Sequence, residues 1–419
     1  MNQKNHSADN IPQLRFPEFV GEWEMKKLGE IAEKRIEKNK NNSVKNVFTN
    51  SAIQGIVNQR DFFDKDIANQ NNLLGYYIVE KNDFVYNPRI SNYAPVGPIS
   101  RNKLEIGIMS PLYSVFRFKE GNYNFYEFYF QTTIWYRHME DIANYGARDD
   151  RMSFPIGDFY KMPITLPSLK EQTRIANFLT AVDEKIQALK KKKGLLEAYK
   201  KGVMQRLFSQ ELRFKGDDGQ SFTDWEVKKL GEVGVFQTSS IDKLSNENEK
   251  KVHLVNYMNV YRHENINNET IKSFQIVTAK DSQITSCSLK KGDILFTPSS
   301  ETPDDIGHSV VIFEDLKNAV FSYHLMRFRP IQEIQILYSH YFCNIPSVLN
   351  QLTKLATGST RFTISVKSFS DINVSLPSLP EQTLIANFLS ALDDKIKHNA
   401  VQIQKMEVWK KGLLQKMFV

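Results

Sequence analysis

Apolar residues recur along this chain in two rhythms. Across 167–210 and again across 377–419 they follow a four-three spacing. The first stripe runs Ile175, Leu179, Val182, Ile186 and Leu189, resuming at Leu196, Val203 and Leu207. The second runs Ile385, Leu389, Leu392, Ile396 and Ile403, then Met406, Leu413 and Met417. Held over several heptads, this spacing predicts two long helices that pair with each other as an antiparallel coiled coil. At 1.5 Å per residue each would reach about 58 Å, whereas a helix that only covers a core averages roughly 11–12 residues. Ser168 with Glu171, and Ser378 with Glu381, have the S-x-x-E spacing of a capping box, and Pro380 falls in a first turn that needs no N–H from it. Lys193, Lys200, Asn399 and Lys410 interrupt the stripes; polar residues at such positions cost stability but can fix register or partner. Gly202 and Gly412 each cost about 1 kcal/mol relative to Ala and leave the helix ends open.

The second rhythm is short and alternating. Residues 82–88 (NDFVYNP), 112–118, 252–261, 292–298 (GDILFTP), 308–315 and 322–328 read as strands, whereas 125–144 and 333–356 read as amphipathic helices, the latter interrupted near Pro346. Strands and helices mixed within each half predict an α+β fold.

The two halves are versions of one text. LPSLKEQTRIANFLTAVDEKI (166–186) returns as LPSLPEQTLIANFLSALDDKI (376–396). Across 162–208 and 372–418 about 22 positions are identical, well above chance. WEMKKLGEIA from Trp23 returns as WEVKKLGEVG from Trp225, and Lys81, Asp83 and Pro88 answer Lys291, Asp293 and Pro298. LYSVFRF (112–118) aligns with SYHLMRF (322–328), and Gly146 and Arg151 with Gly358 and Arg361 across a small indel. The expected organisation is a globular domain over 14–166, a helix over 167–210, a related domain over 211–376 and a related helix over 377–419.

A formal charge of +7 favours a polyanionic partner. No apolar run approaches the roughly 18 residues that span a bilayer, and the polar opening lacks a secretory core. Cys287 and Cys343 are too few for a zinc site and read as buried thiols in a reducing cytoplasm. Two loop clusters in each half carry side chains suited to nucleic acid. After the NDFVYNP strand stand Asn87, Arg89, Ser91, Asn92 and Tyr93; after GDILFTP stand Thr297, Ser299, Ser300 and Glu301. Arg can donate twice to guanine, Asn can pair with adenine and Glu can accept from cytosine. Arg148 and Arg151 in one half, and Ser359, Thr360 and Arg361 in the other, follow a glycine and suit phosphate or base contact, or a structural ion pair. Catalytic signatures are missing: there is no GxxxxGK[ST] phosphate loop, no NPPY or DPPY tetrapeptide, no HExxH and no GxSxG.

The paired LPSLxEQxxIANFLxxxDxKI segments lead to KKGxxQxxF and follow divergent domains with a WExKKLGE start. They resemble the HsdS-type specificity subunits of type I restriction–modification enzymes, over nearly the whole chain from Leu14 to Phe418. The resemblance implies two target-recognition domains, each reading one half of a split asymmetric site on double-stranded DNA. It implies helices that set the gap and dock two methyltransferase subunits, with motor–nuclease subunits joining for restriction. The holoenzyme would use S-adenosylmethionine, ATP and magnesium; this subunit would hold no cofactor or metal and no catalytic residue. The rival readings are a self-contained restriction–methyltransferase, which lacks its motifs here, a protein-binding scaffold, and an orphan DNA-binding subunit without a working partner.

Overall fold

The computed structural model describes residues 10–62, 70–144, 150–243 and 245–419. It forms two compact units: the chain up to Lys190 together with Val401–Val419, and Lys191–Ala400. The units cut across the four segments expected from the sequence, because each takes half of each long helix.

The first unit is built on a four-stranded antiparallel sheet of β1 (Ala32–Lys34), β2 (Phe84–Tyr86), β3 (Ile99–Arg101) and β4 (Ser114–Phe118), in the order β1-β4-β2-β3. The second repeats it with β5 (Gly234–Thr238), β6 (Ile294–Phe296), β7 (Ser309–Val311) and β8 (Met326–Pro330), in the order β5-β8-β6-β7. Phe84, Phe116 and Phe118 fill one core, and Ile294, Phe296 and Phe328 fill the other. In each unit a buried carboxylate ties the sheet: Asp83 accepts Arg117 Nε at 2.7 Å and Asp293 accepts Arg329 Nε at 2.6 Å.

These pairs correct the sequence alignment. Phe84 pairs Phe116 while Ile294 pairs Phe328, so Arg117 answers Arg329 and Phe116 answers Phe328. The expected match of 112–118 with 322–328 is two residues out of step. A slip of two leaves every side chain on its own face, so alternation could not detect it.

Two expected elements also break. The strand expected over 252–261 ends at Val255, where the Asn256 side chain accepts from Tyr257 N and starts a helix, Tyr257–Tyr261. The helix expected over 125–144 is two, Tyr123–Phe130 and Tyr136–Ile142; between them Thr132 Oγ1 donates back to Tyr129 O at 2.7 Å. The break near Pro346 is present, with Pro346 in the first turn of Pro346–Leu355.

The long helices are α1 (Leu169–Phe208) and α2 (Leu379–Met417), continuous through Gly202 and Gly412. In the first unit Ile175, Leu179, Val182 and Ile186 share a core with Leu413, Leu414 and Met417. In the second, Val203 and Leu207 share one with Ile385 and Leu389. Leu189, Leu392 and Ile403 are buried too, and Ile396 is half-buried. The helices run antiparallel: Asp183 meets Lys410 at 2.7 Å, and seven residues further along α1 Lys190 meets Glu407, earlier on α2. In the second unit Lys200 pairs with Asp393. Two of the three interrupting lysines, Lys200 and Lys410, thus make repeat-related ion pairs with Asp393 and Asp183, whereas Lys193 pairs with Glu197 on its own helix.

The expected capping boxes are not formed. Ser168 Oγ accepts from Glu171 N at 3.3 Å, but the Glu171 carboxylate turns away and accepts Arg15 Nε at 2.7 Å, Arg15 Nη2 at 2.8 Å and Trp23 Nε1 at 3.3 Å. Glu381 likewise accepts Arg213 at 3.0 and 2.8 Å and Trp225 Nε1 at 3.0 Å, and Ser378 Oγ is buried with no partner among the described residues. A fully buried carboxylate finds more in a guanidinium and an indole N–H than in one backbone amide. The repeated tryptophans and the repeated helix starts therefore meet in each unit, beside the strand pairs Glu24–Lys27 with Pro163–Leu166 and Glu226–Lys229 with Asn373–Leu376.

Candidate nucleic-acid interface

In each unit the loop that leaves the second sheet strand is pinned to a later segment. In the first, Ile90 N donates to Asp150 O at 3.0 Å and Met152 N to Pro88 O at 2.8 Å, a bridge between Arg89 and Arg151. In the second, Ser299–Ser300 pairs with Phe362–Thr363, and Ile364 N donates to Pro298 O at 2.9 Å. The clusters chosen separately from the sequence are thus neighbours in space. By this pairing Arg151 corresponds in the repeat to Thr363, not to Arg361 as aligned from sequence.

The residues within these clusters differ in availability. Asn87 is buried: its Nδ2 donates to Asn50 O at 2.8 Å and its Oδ1 accepts from Arg89 N at 3.0 Å, so it shapes the loop. Gly97 (φ +81°) closes the same loop, because a Cβ there would lie 2.1 Å from Asn87 O. Arg89 and Ser91 are exposed, and a tight turn from Ser91 to Ala94 lifts Asn92 and Tyr93 outward, Tyr93 being 73% exposed. Arg151 is half-buried; Asp150 stands 3.9 Å from Arg89 and 3.8 Å from Arg151, partly exposed pairs worth under about 1 kcal/mol. Arg148 and Gly146 lie outside the described residues.

In the second unit Thr297, Ser299 and Ser300 are buried, and Ser300 Oγ donates to Thr302 O. Glu301 is exposed. A hairpin closed by Thr357 and Thr363 (3.0 and 2.9 Å) holds Ser359, Thr360 and Arg361 at its exposed tip. Gly358 (φ +144°) is required there, since a Cβ would meet Arg361 O at 2.0 Å. Arg361 Nη2 donates to Ser299 Oγ at 3.3 Å, joining the two clusters.

A polar wall that the sequence reading missed stands beside this tip. Tyr257 Oη donates to Ser299 O at 2.8 Å, and its ring stacks on Tyr261 at 5.8 Å. Tyr261 Oη donates to Asp305 Oδ2 at 3.1 Å, Asp305 Oδ1 meets His308 Nε2 at 2.9 Å, and His308 Nδ1 meets His263 Nε2 at 3.2 Å. Burial, and then the neighbouring His308, hold the His263 imidazole below its ordinary pKa. The signal for the tyrosines was their four-residue spacing, which becomes one face only when 257–261 is a helix.

Each unit therefore offers, beyond the end of an interior sheet strand, a glycine-shaped tip with exposed Arg, Asn, Ser or Thr donors and aromatic faces, the side-chain set that reads base edges and phosphates. Comparison with known proteins agrees with this repeated architecture. The profile of the family described as "Type I restriction modification DNA specificity domain" matches twice, over residues 21–198 and 223–407, and the chain belongs to that family. The chain is 26% identical over 276 residues to the type I restriction enzyme MjaVIII specificity subunit of Methanocaldococcus jannaschii, covering 61% of each protein. It is 26% identical over 266 residues to the putative type I restriction enzyme MjaX specificity subunit of the same organism, covering 60% of this chain and 57% of that one. The chain thus spans about three fifths of the length of these curated relatives. Among solved structures, a chain from a study of complex assembly and conformational transition of the type I R-M system shares the fold with a TM-score of 0.60 at 16% identity, over 94% of this chain and 97% of that one. The S subunit from M. genitalium does so with a TM-score of 0.53 at 15% identity, over 98% and 99%. The HsdS subunit from Thermoanaerobacter tengcongensis follows with 0.51 at 14%, over 96% and 98%.

Proposed function

We propose that this chain is the DNA-specificity subunit of a type I restriction–modification complex, and that each unit reads one half of a bipartite, asymmetric site. The observation that carries this reading is the duplicated tip. The same sheet presents Arg89, Asn92 and Tyr93 in one unit and Ser359, Thr360 and Arg361 in the other, so two different short sequences are read from one scaffold. The long helices, which both units share, set the unread gap and dock two methyltransferase subunits; motor–nuclease subunits complete the restriction enzyme. Chemistry belongs to those partners, which bring S-adenosylmethionine, ATP and magnesium, and the complex works on DNA in the cytoplasm. Among the described residues no helix is long and apolar enough to cross a membrane.

The test is co-expression with a candidate type I methyltransferase subunit from the same host, followed by genome-wide mapping of methylated adenines. One bipartite motif with a fixed gap is expected, its halves exchanged separately when 30–160 or 232–370 is replaced. A stable complex that methylates nothing would leave an orphan DNA-binding or scaffolding role instead.

A further inference from the structure

In the first unit a hairpin stands beside the loop that carries Arg89 and Tyr93. Phe48–Ser51 pairs antiparallel with Gly55–Asn58. Ser51 Oγ accepts from Ile53 N and Gln54 N, both at 3.3 Å, and Gly55 (φ +70°) supplies the left-handed residue of the turn. The turn is thus held by its own hydrogen bonds, yet Ala52, Ile53 and Gln54 are all exposed, Ile53 by 71%.

Two buried amides fix the hairpin against the loop. Asn50 Nδ2 donates to Val85 O at 2.7 Å and to Pro98 O at 3.3 Å, and Asn87 Nδ2 donates back to Asn50 O at 2.8 Å. The hairpin turn and Tyr93 then line one cleft of about 480 Å³. A single exposed Ile would need no explanation, but here two large exposed side chains, Ile53 and Tyr93, border the same cleft. A tip already held in place loses little freedom when it binds.

We propose that Ile53 and Gln54 are specificity-determining residues that read an A·T pair in the first half-site, apart from the bases met by Arg89, Asn92 and Tyr93. This rests on the specificity-subunit reading above. The Gln54 amide can donate to adenine N7 and accept from the N6 amino group, while Ile53 packs on the thymine methyl; a G·C pair offers neither match. The turn from Ser51 to Gly55 holds no cation, so it adds base preference rather than phosphate affinity. DNA fits better than a protein partner, because the amides of Asn50 and Asn87 lock the turn to the loop that carries the reading side chains.

Binding selections on randomised first half-sites test it, run on the full chain in complex with a candidate type I methyltransferase subunit. The unaltered complex should demand an A·T pair at one position that Arg89→Ala leaves intact. Gln54→Ala should lower that preference roughly tenfold and Ile53→Ala about fourfold, with the second half-site and the thermal midpoint unchanged. Deoxyuridine in place of that thymine removes only the methyl group. It should weaken the unaltered complex about fourfold and the Ile53→Ala complex not at all. No such A·T position, variants with unchanged preferences, equal sensitivity of both complexes to deoxyuridine, or lost assembly in place of lost base preference would each overturn the hairpin as a reader. An unaltered complex that selects no bipartite site would overturn the specificity-subunit reading itself, and this inference with it.

Discussion

The two units keep the same charged pairs, those of Glu171, Glu381, Asp83 and Asp293 built on buried carboxylates, and differ at their tips. Glu171 and Glu381 each hold an arginine and a tryptophan, Asp83 and Asp293 each hold an arginine of the sheet, and Asp183 and Asp393 each hold a lysine of the facing helix. The tips share almost no side chains. The first unit exposes Arg89, Ser91, Asn92 and Tyr93 on its strand-end loop; the second buries Thr297, Ser299 and Ser300 there and exposes the hairpin 359–361. The physical cause is asymmetric cost. A buried charge stripped of its partner costs several kcal/mol, so the pairs of Glu171, Glu381, Asp83 and Asp293 cannot drift singly, whereas an exposed loop tip changes at little cost to the fold.

The largest effect should come from breaking that shared frame. Glu381→Ala and Glu171→Ala each leave a guanidinium and an indole N–H without their acceptor and should cost about 3–5 kcal/mol by urea unfolding. A loss confined to one unit would show that the repeat is not energetically equal. At the tips, Arg361→Ala and Arg89→Ala should each weaken DNA binding by about 1–3 kcal/mol and relax only one half of the site. Binding selections on randomised half-sites will read this out; loss of both halves together would sink the division of labour.

A smaller effect of opposite sign is expected along the stripe. Asn399 is buried and neither of its amide atoms has a partner among the described residues, while Leu occupies the repeat-related position, Leu189. Asn399→Leu should therefore stabilise the chain by roughly 1–2 kcal/mol, as a raised urea midpoint. Acid should tilt the two units apart. Burial holds His263, His324 and His340, all in the second unit, below the ordinary imidazole pKa. Their unfolded forms bind protons first, so this stability is complete above about pH 6.5 and is lost as pH falls through the depressed folded values. Hydrogen exchange should show the second unit opening first below that pH; equal protection would contradict it. The smallest contrast is at the helix starts, where Ser168→Ala should cost about 0.5–1 kcal/mol and Ser378→Ala almost nothing, because only Ser168 receives an amide.

Much of the frame was legible because it is periodic or repeated. The four-three stripe located α1 and α2 to within two residues, and the buried face it marked is the one that packs. The candidate tips were legible only as segments. Chemistry selected 87–93, 297–301 and 359–361, but it could not tell Arg89, which reaches solvent, from Asn87, which is spent on the Asn50 carbonyl and the Arg89 amide. The tyrosine–histidine wall was illegible, since Tyr261, Asp305 and His308 meet only after β6 and β7 pair.

By itself, then, the sequence determined a duplicated α+β chain with two antiparallel long helices, because helical periodicity and internal repetition are written locally in residue order. Tertiary structure alone decided that Glu171 and Glu381 serve buried Arg–Trp clusters instead of capping, since their partners lie about 150 residues away. It also decided the two-residue offset between β4 and its repeat β8, because a shift of two keeps every side chain on its face, and the strand pairings Phe84–Phe116 and Ile294–Phe328 with the Asp83–Arg117 and Asp293–Arg329 ion pairs distinguish the alternatives.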